Sequence, residues 1–360
     1  MDILAVNAGS SSLKLRLVSA NDEIAASADF PAGKAGALEH FLGRETGAGA
    51  AVHRFVHGGR LDEAVFLDEG VLREIEAAAE LAPLHTPPAL ACARELRRLR
   101  PELPQVACFD TAFHRTLPEP AATYAIPANW RRRHGIRRRG FHGLSHAWAS
   151  ARAAELLDRP AAGLRIVTCH LGAGVSLAAV AGGRSVDTTM GMTPAEGPVM
   201  ATRSGTLDPG AVLLLAEREG GPGPVRETLE QRSGLLGLSA LSSDMRELLQ
   251  AADEGHETAR LAIDVYVHRM RGAVASMAAA MDGLDALAFT GGVGENSARI
   301  REAVCDGLSF LGVEVDSELN AGRGDAVVSP AGASVGVTVV CAREELEMAR
   351  ETRLVLSRVR

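Results

Sequence analysis

The sequence is poor in aromatic residues, poor in cysteine and without an excess of positive charge. Aromatic side chains make up 4% of its 360 residues, so a core must be built mainly from alanine, valine and leucine. The formal net charge of −7 disfavours a general nucleic-acid-binding protein, since such proteins are normally basic. We therefore expect no nucleic-acid partner.

The five cysteines, which are Cys92, Cys108, Cys169, Cys305 and Cys341, lie far apart in the sequence. Their spacing fits no metal site, and an odd number without a signal peptide indicates reduced, buried thiols. The start of the sequence lacks the basic and apolar regions of a targeting signal. The most apolar later run, around 274–281, is too short and too interrupted to span a bilayer. We expect a cytoplasmic protein with no membrane partner.

A strand, a glycine turn and a second strand are predicted over residues 166–180. The turn, His170-Leu171-Gly172-Ala173-Gly174, places two glycines around one small residue, so that backbone N–H groups can approach an anion. A polar loop over 185–210 follows and carries the guanidinium of Arg203. Because loops of this length and polarity between strands are usually functional, we interpret this stretch as one wall of a phosphoryl-transfer site.

Two other turns have phosphate-binding character. The strand at 3–6, the turn around Ser10 and the strand at 13–17 repeat the plan of 166–180, which indicates a weak internal repeat. Ser10, Ser12 and Lys14 can donate to a phosphate, and the Asn7 amide can orient a phosphate or a metal-bound water. A strand rather than a helix follows this turn, so it is not a P-loop.

The third glycine turn, 291–296, lies between a predicted strand at 284–290 and a predicted helix at 298–311. A helix N-terminus at this place favours a bound nucleotide, because its dipole attracts negative charge. A long helix predicted over 257–281 is interpreted either as core or as a subunit interface.

Several polar residues end or interrupt apolar strands. Arg54 lies inside the strand predicted over 51–56, where it is either paired at an edge or directed into a site. Asp110 ends the strand predicted over 105–110, where it is either an active-site carboxylate or a helix cap. His85, His142 and His170 lie in turns that could face a cleft.

Other helices are predicted over 70–82, 89–100, 145–157, 211–219, 247–252 and 344–356. The prolines of LHTPP (84–88) are expected to end the helical pattern of 70–82, because proline lacks a backbone donor and disfavours a helix before it. The arginine-rich segment 131–139 has two readings that remain open. It is either a solvated loop with one or two arginines facing a site, or a nucleic-acid-binding patch.

Eleven blocks of the sequence, in order, resemble the acetate kinase family. They are VNAGSSSLK (6–14), HRFVHGG (53–59), LHTPP (84–88), FDTAFH (109–114), GIRRRGFHG (135–143), CHLGAG (169–174), VDTTMGMTPAEG (186–197), TRSGTLDPG (202–210), SSDMR (242–246), FTGGVGEN (289–296) and EELEMARET (344–352). The resemblance covers nearly the whole chain.

The resemblance implies an α/β protein of two ribonuclease-H-like domains of the actin-like superfamily, with substrates in the cleft between them. We expect an N-terminal domain over 1–112 plus 346–360 and a C-terminal domain over 113–345. The implied reaction is reversible phosphoryl transfer from ATP to acetate, giving ADP and acetyl phosphate, with Mg²⁺ or Mn²⁺. Because members of this family are homodimers, the resemblance also implies a homodimer.

The resemblance also implies roles for individual residues. Asn7 and Glu344 resemble a magnesium-linked pair, Lys14 a phosphate ligand, and Asp110 the essential carboxylate. Arg54 and Arg203 resemble the arginines that hold the carboxylate and the phosphoryl group, and His142 the imidazole donor. The remaining implied sets are a methyl pocket of Val56, Leu84, Phe141 and Pro194, and a nucleotide shell of His170, Leu171, Gly172, Ala173, Gly174, Asp244, Met245, Arg246, Gly292, Val293, Gly294, Glu295 and Asn296.

The sequence departs from the family pattern in its smaller side chains. Ala173 stands where the family often has asparagine, and Thr86, Ala195, Pro198 and Ala201 also replace more usual residues. The smaller pocket residues leave a propionate or butyrate kinase as an alternative, because one methylene discriminates by only about 1–3 kcal/mol. A non-catalytic nucleotide-binding module of the same superfold is the other alternative.

Overall fold

The computed structural model describes residues 1–9, 12–44, 47–82 and 85–359. The strands of these residues are β1 (Ile3–Ala8), β2 (Ser12–Val18), β3 (Ile24–Pro31), β4 (Ala50–Phe55), β5 (Val65–Phe66), β6 (Gln105–Phe109), β7 (Arg165–Leu171), β8 (Val175–Ala181), β9 (Arg184–Thr188), β10 (Ala286–Thr290), β11 (Ala326–Val327) and β12 (Gly336–Val339).

The α-helices of the described residues are α1 (Ala37–Arg44), α2 (Glu69–Ala77), α3 (Thr86–Leu99), α4 (Glu119–Ala122), α5 (Ala128–His134), α6 (Gly143–Leu156), α7 (Pro209–Arg218), α8 (Pro222–Gln231), α9 (Gly234–Ser239), α10 (Met245–Asp253), α11 (Glu257–Ala279), α12 (Gly291–Asn296), α13 (Ala298–Asp306), α14 (Ser317–Asn320) and α15 (Glu344–Val359). None of the helices in this part of the chain has both the length and the apolar character that crossing a bilayer requires.

The chain forms two compact units. The first comprises Met1–Arg115, Phe141–Trp148 and Arg343–Arg360, and the second comprises Thr116–Gly140 and Ala149–Ala342. The range expected for the C-terminal domain, 113–345, included residues 141–148, which fall in the first unit. They do so because the backbone N–H of Gly143 donates to the carbonyl of Asp110 at 2.8 Å.

Each unit contains one six-stranded sheet, and the two sheets have the same topology. Their orders are β3-β2-β1-β4-β6-β5 and β9-β8-β7-β10-β12-β11. In each sheet a three-stranded antiparallel meander is followed by two strands parallel to its first strand and by a short antiparallel edge strand. The internal repeat predicted from residues 3–17 and 166–180 is therefore confirmed, and it extends to all six strands of each sheet. The predicted ribonuclease-H-like α/β class is also confirmed.

The core of the first unit is largely aliphatic, as the composition predicts. Leu15, Leu38, Ile75 and Leu96 are buried around the sheet, together with the neighbouring rings of Phe55 and Phe109. Burying each such side chain stabilises the fold by about 1.5–3 kcal/mol relative to exposure.

Several predicted boundaries are wrong for local reasons. Helix α3 begins at Thr86 and includes both prolines of the LHTPP motif in its first turn, where a missing N–H costs no helical hydrogen bond. Residues 184–188 form β9 rather than loop, since they extend the sheet beside β8. Residues 291–296 form the short helix α12 rather than a turn. Helices α8 and α9 were not predicted.

Candidate functional site

The polar residues of the first unit gather at the carboxyl ends of its parallel strands. Asn7 lies near the end of β1, Arg54 near the end of β4, and Asp110 directly after β6. Strands β1, β4 and β6 are adjacent and parallel, so their ends meet at one edge of the sheet. Ligands of open α/β sheets bind at this edge.

Arg54 is the centre of this cluster. Its Nε and Nη2 donate to the two carboxylate oxygens of Asp110 at 2.8 and 2.6 Å. Its Nη1 donates to Asn7 Oδ1 at 3.1 Å, and Glu344 Oε2 lies 3.6 Å from its Nε. Among the described residues, one N–H of each of Nη1 and Nη2 remains without an acceptor and can donate to a ligand.

Charges and burial shift the pKa values of this cluster. Burial by itself would lower the pKa of Arg54, but the charges of Asp110 and Glu344 raise it above its usual value. Burial raises the pKa of Asp110, while Arg54 and the backbone N–H of His142 favour its ionised form. The two hydrogen bonds from Arg54 fix the orientation of the Asp110 carboxyl group.

The turn that carries Phe141 and His142 is packed tightly against Asp110. His142 has a left-handed backbone, with φ of +56°, and helix α6 begins directly after it. A side chain at Gly143 would meet the carbonyl oxygen of Asp110, so only glycine permits this approach. The buried ring of His114 hydrogen-bonds the carbonyl of Phe141 at 3.1 Å through Nε2, which must therefore carry the proton.

His114 thus positions the turn that carries Phe141. The FDTAFH motif includes His114, but the sequence predicted no role for it. Burial lowers its pKa to about 4, so its ring is neutral at pH 7. The neighbouring methyl-pocket candidates are Phe141, whose buried ring contacts His57 at 5.9 Å between centroids, and the half-buried Val56. Leu84 lies outside the described residues.

The predicted phosphate ligands of the first turn lie on β2. Lys14 is exposed and pairs in register with Asn7, and Ser12 is half-buried at the start of the strand. Ser10 lies outside the described residues. The register therefore places Lys14 beside Asn7 at the same edge of the sheet.

The second unit contains a pocket of about 700 Å³ at the ends of its own parallel strands, β7 and β10. Eight predicted nucleotide-binding residues line it, which are Gly172, Ala173, Asp244, Met245, Arg246, Gly292, Val293 and Asn296. Three sequence segments separated by 40 residues or more are therefore brought together. The same lining also includes Ala201, Leu235, Ser243, Leu249, Tyr266 and Ser297, which were not predicted.

The other predicted nucleotide residues support this pocket without lining it. They are His170 and Leu171 at the end of β7, Gly174 in the hairpin, and Gly294 and Glu295 in α12. Asp244 caps α10 by accepting from the Arg246 backbone, and hydrogen bonds from Arg246 lower its pKa to about 2. A contiguous sequence motif therefore predicts which segment lies at the pocket. It does not predict which residues of that segment line the pocket.

Arg203 is attached to this pocket through its backbone segment. Ala201 N–H donates to the carbonyl of Ala173 at 3.1 Å, which joins the segment to the hairpin. Arg203 Nη1 donates to the Pro194 carbonyl at 2.6 Å. Burial lowers the pKa of Arg203, although Glu230 opposes this shift. Among the described residues, no carboxylate lies within ion-pair distance of this guanidinium, so it is suited to an anionic ligand.

Two other arginines brace loops of this unit, and neither role was predicted. Arg301 is fully buried and donates from Nη1 to the carbonyls of Gly294 and Glu295, at 2.9 and 3.0 Å, which fixes α12. Arg138, from the arginine-rich segment, binds Glu196 at 2.6 Å, and Tyr124 donates to the same carboxylate at 2.5 Å. The arginine-rich segment 131–139 thus begins within helix α5, and its Arg138 fixes the loop that carries Glu196. Neither of the two interpretations of this segment predicted that role.

The residues expected to hold magnesium are Asn7 and Glu344. Asn7 Nδ2 lies 3.4 Å from Glu344 Oε2, and Glu344 begins α15. Within the described residues, no three His, Cys, Asp or Glu side chains lie close enough to form a metal site by themselves. The carboxylates of Asp110 and Glu344 around the single guanidinium of Arg54 leave net negative charge, which favours a bound cation. Mg²⁺ fits such a place, because it is usually held by one or two protein oxygens together with water and phosphate.

Comparisons with known proteins agree with this geometry. A sequence model of the acetokinase family matches residues 40–350. The chain is 43% identical to the acetate kinase of Shouchella clausii (strain KSM-K16), covering 97% of this chain and 98% of that protein. It is 49% identical to the acetate kinase of Streptomyces coelicolor (strain ATCC BAA-471 / A3(2) / M145), covering 88% and 79%.

Two solved structures are similar over nearly their whole length. The acetate kinase of Porphyromonas gingivalis superposes with a TM-score of 0.91 at 36% identity, covering 99% of both chains. The propionate kinase of Francisella tularensis subsp. tularensis SCHU S4 superposes with a TM-score of 0.89 at 35% identity, covering 97% of this chain and 98% of that chain. The chain therefore belongs to the acetokinase family.

Proposed function

We propose that this protein transfers a phosphoryl group reversibly from ATP to acetate, giving ADP and acetyl phosphate. The observation that carries the proposal is the Arg54 cluster: a guanidinium fixed by Asp110 and Asn7 that keeps N–H groups for an anion. Phosphoryl transfer depends mainly on positioning and on positive charge around the equatorial oxygens.

In this proposal Arg54 holds the acetate carboxylate and Arg203 stabilises the moving phosphoryl group. His142 donates from its imidazole to the same group, and Lys14 with Ser12 and Ser10 contributes to phosphate binding. Acetate has a carboxyl pKa far below 7 and arrives ionised, so no general base is required. Asp110 therefore acts as the residue that orients Arg54.

Magnesium, or manganese in its place, supplies charge neutralisation to the phosphates when bound. Asn7 and Glu344 would hold it, because they are the oxygen-bearing side chains beside Arg54 that the guanidinium does not fully occupy. Glu344 is the first residue of α15, where the dipole of the helix favours a negative side chain.

The acceptor is acetate first, and propionate is the second candidate. Similarity to the Francisella tularensis propionate kinase supports the second candidate, because the two chains superpose almost completely. Val56, Phe141, Pro194 and Leu84 are the proposed contacts of the acceptor's methyl group.

The acceptor is tested by trapping the acyl phosphate with hydroxylamine, using acetate, propionate and butyrate with MgATP. We expect the highest kcat/KM with acetate. An equal or higher kcat/KM with propionate would reassign the enzyme as a propionate kinase. Folded protein that binds ATP but gives no hydroxamate with any acid would instead be a nucleotide-binding module.

The nucleotide pocket is tested at Gly292, where an added Cβ atom meets no protein atom within 4 Å. Gly292→Phe should fill the pocket without straining the backbone and raise the KM for ATP at least about tenfold. Gly163 is likewise open to solvent, so Gly163→Phe is the matched control and should leave this KM unchanged. If the KM for ATP is unchanged in both variants, the nucleotide does not bind in this pocket.

We also propose a homodimer that acts in the cytoplasm. The five cysteines are free thiols, as a reducing compartment requires. Helix α7, all of which the structure describes, buries none of its ten residues although it is rich in leucine. An unburied apolar helix of this kind is typical of a subunit interface.

A further inference from the structure

Tyr266 is a polar residue of the nucleotide pocket to which no role has yet been given. It lies in the middle of α11, it is 1% exposed, and it is one of the residues that line the pocket. Within the described residues its hydroxyl group has no hydrogen-bond partner. Most buried polar side-chain atoms have one, so this hydroxyl group requires an explanation.

The hydroxyl group is a neutral donor at every pH at which the enzyme can work. Burial, and to a smaller extent the neighbouring Cys169 thiol, raise the pKa of Tyr266 far above its usual value. A buried donor without an acceptor destabilises the free protein, whereas phenylalanine would fill the same space without that cost. The hydroxyl group is therefore better explained by a ligand than by folding.

The surroundings of Tyr266 indicate which part of a nucleotide it meets. Helix α11 packs against α9 and α10, which contribute Leu235, Met245 and Leu249 to the pocket wall. This wall is apolar and suits the nucleoside, whereas the phosphates are better matched by the exposed backbone at Gly292.

We infer that the Tyr266 hydroxyl donates a hydrogen bond to the nucleoside part of the bound nucleotide, and that it favours nucleotides over phosphate donors without a nucleoside. This inference rests on the proposed nucleotide role of the pocket. Tyr266 then contributes to nucleotide binding, and it makes no contact with the phosphoryl group that is transferred.

Tyr266→Phe tests the inference because it removes only the hydroxyl group. Calorimetric titration should show binding of MgADP weakened about threefold to tenfold, the range of one neutral hydrogen bond. Binding of magnesium tripolyphosphate should change less than twofold. The Tm of the ligand-free variant should equal or exceed that of the wild type, because an unpaired buried hydroxyl group has been removed.

Thr338→Val is the matched control. Thr338 is also fully buried with an unpartnered hydroxyl group, but it does not line the pocket. Its variant should bind MgADP like the wild type. Unchanged MgADP binding by Tyr266→Phe, an equal loss for tripolyphosphate, or a lowered Tm would each overturn the inference.

The outcome with Gly292→Phe separates this inference from the pocket assignment. If Gly292→Phe weakens MgADP binding and Tyr266→Phe does not, the pocket stands and the role of Tyr266 falls. If neither variant affects MgADP binding, the nucleotide assignment of the pocket itself falls, and the inference falls with it.

Discussion

The guanidinium of Arg54 uses three of its five N–H groups on Asp110 and Asn7 before any ligand binds. This arrangement fixes the plane of the guanidinium, and the entropy of ordering it is lost during folding rather than during the reaction. Asp110 is 1% exposed, and we propose that its carboxylate acts on the substrates through Arg54 rather than by direct contact.

Replacing Asp110 with asparagine should lower kcat by about 10²–10³-fold, because the amide cannot hold the arginine fork with two charged hydrogen bonds. The dependence of kcat/KM on pH should keep the shape of the wild-type profile, since no proton is abstracted from ionised acetate. A variant profile that lacks an acidic limb present in the wild type would contradict the orienting role and indicate a general base.

Arg203 differs from Arg54 in having no carboxylate partner among the described residues, although it is half-buried. Arg203→Lys should lower kcat by about 10²-fold, because an ammonium group cannot reproduce the planar fork that matches phosphoryl oxygens. Steady-state kinetics with saturating MgATP and acetate measure this effect.

Arg226→Lys is the matched control for Arg203, since Arg226 is exposed on α8 and should tolerate the change. A kcat for Arg203→Lys within about threefold of the wild type would show that the Arg203 charge alone suffices, or that Arg203 does not meet the phosphoryl group.

At the scale of elements, α15 combines a predicted site residue with a cluster of partly buried carboxyl groups. Glu344 begins the helix beside Arg54, and Glu347 lies one turn further along. Burial, together with Glu351 and Asp22, raises the pKa of Glu347 to about 7, although Arg350 opposes the shift. The helix therefore carries an acid that folding makes harder to ionise.

Glu347→Gln should stabilise the protein at pH 8 by about 1–3 kcal/mol and have little effect at pH 4. Between the usual pKa of glutamate and about 7, folded Glu347 retains a proton that the unfolded chain has lost. The free energy of unfolding therefore falls as pH rises through this window, and the variant lacks this loss.

Thermal unfolding from pH 4 to pH 8 measures the effect of Glu347→Gln. Glu23→Gln, at an exposed position of the same unit, is the control. Parallel pH dependence of Tm in the wild type and in Glu347→Gln would show that Glu347 ionises normally in the fold.

Elements with a strong local signal were predicted correctly, and those that depend on distant contacts were not. The strand and turn at 166–180 have a hydrophobic run and glycines that act locally, so their hairpin followed from the sequence. The start of α3 was predicted too late, at residue 89, because its two prolines were interpreted only as residues that end a helix. Proline is also common in the first turn of a helix, which is where both lie in α3. Arg301 and Tyr266 come from ordinary helical patterns, and only the tertiary structure shows what they meet.

At the scale of the whole molecule, the duplicated topology explains why the predicted site residues occur in two sets. Each sheet brings its parallel strand ends together, so each unit has one polar cluster or pocket at the same edge of its fold. The first unit holds the cationic cluster around Arg54, and the second holds the pocket with Gly292. The repeat was visible in the sequence only at its two hairpins, because the remaining strands share no common motif.

The proposed homodimer follows from the distribution of exposed leucine on the second unit. Leu213, Leu214 and Leu215 of α7 are 66%, 45% and 37% exposed, so this helix presents three large apolar side chains to solvent. A second copy of the chain would cover it, and the double substitution Leu213→Asp with Leu214→Asp should prevent this association. Light scattering after gel filtration should give about twice 37.7 kDa for the wild type and the mass of one chain for the variant.

Two control variants locate the interface. Phe310→Asp alters an equally exposed apolar residue outside α7 and should remain dimeric. Leu261, on α11, is 54% exposed and belongs to the helix that the sequence offered as a candidate interface. If Leu261→Asp is monomeric and the α7 double variant remains dimeric, the interface lies on α11 rather than on α7. If the wild type itself has the mass of one chain, the proposed homodimer is wrong.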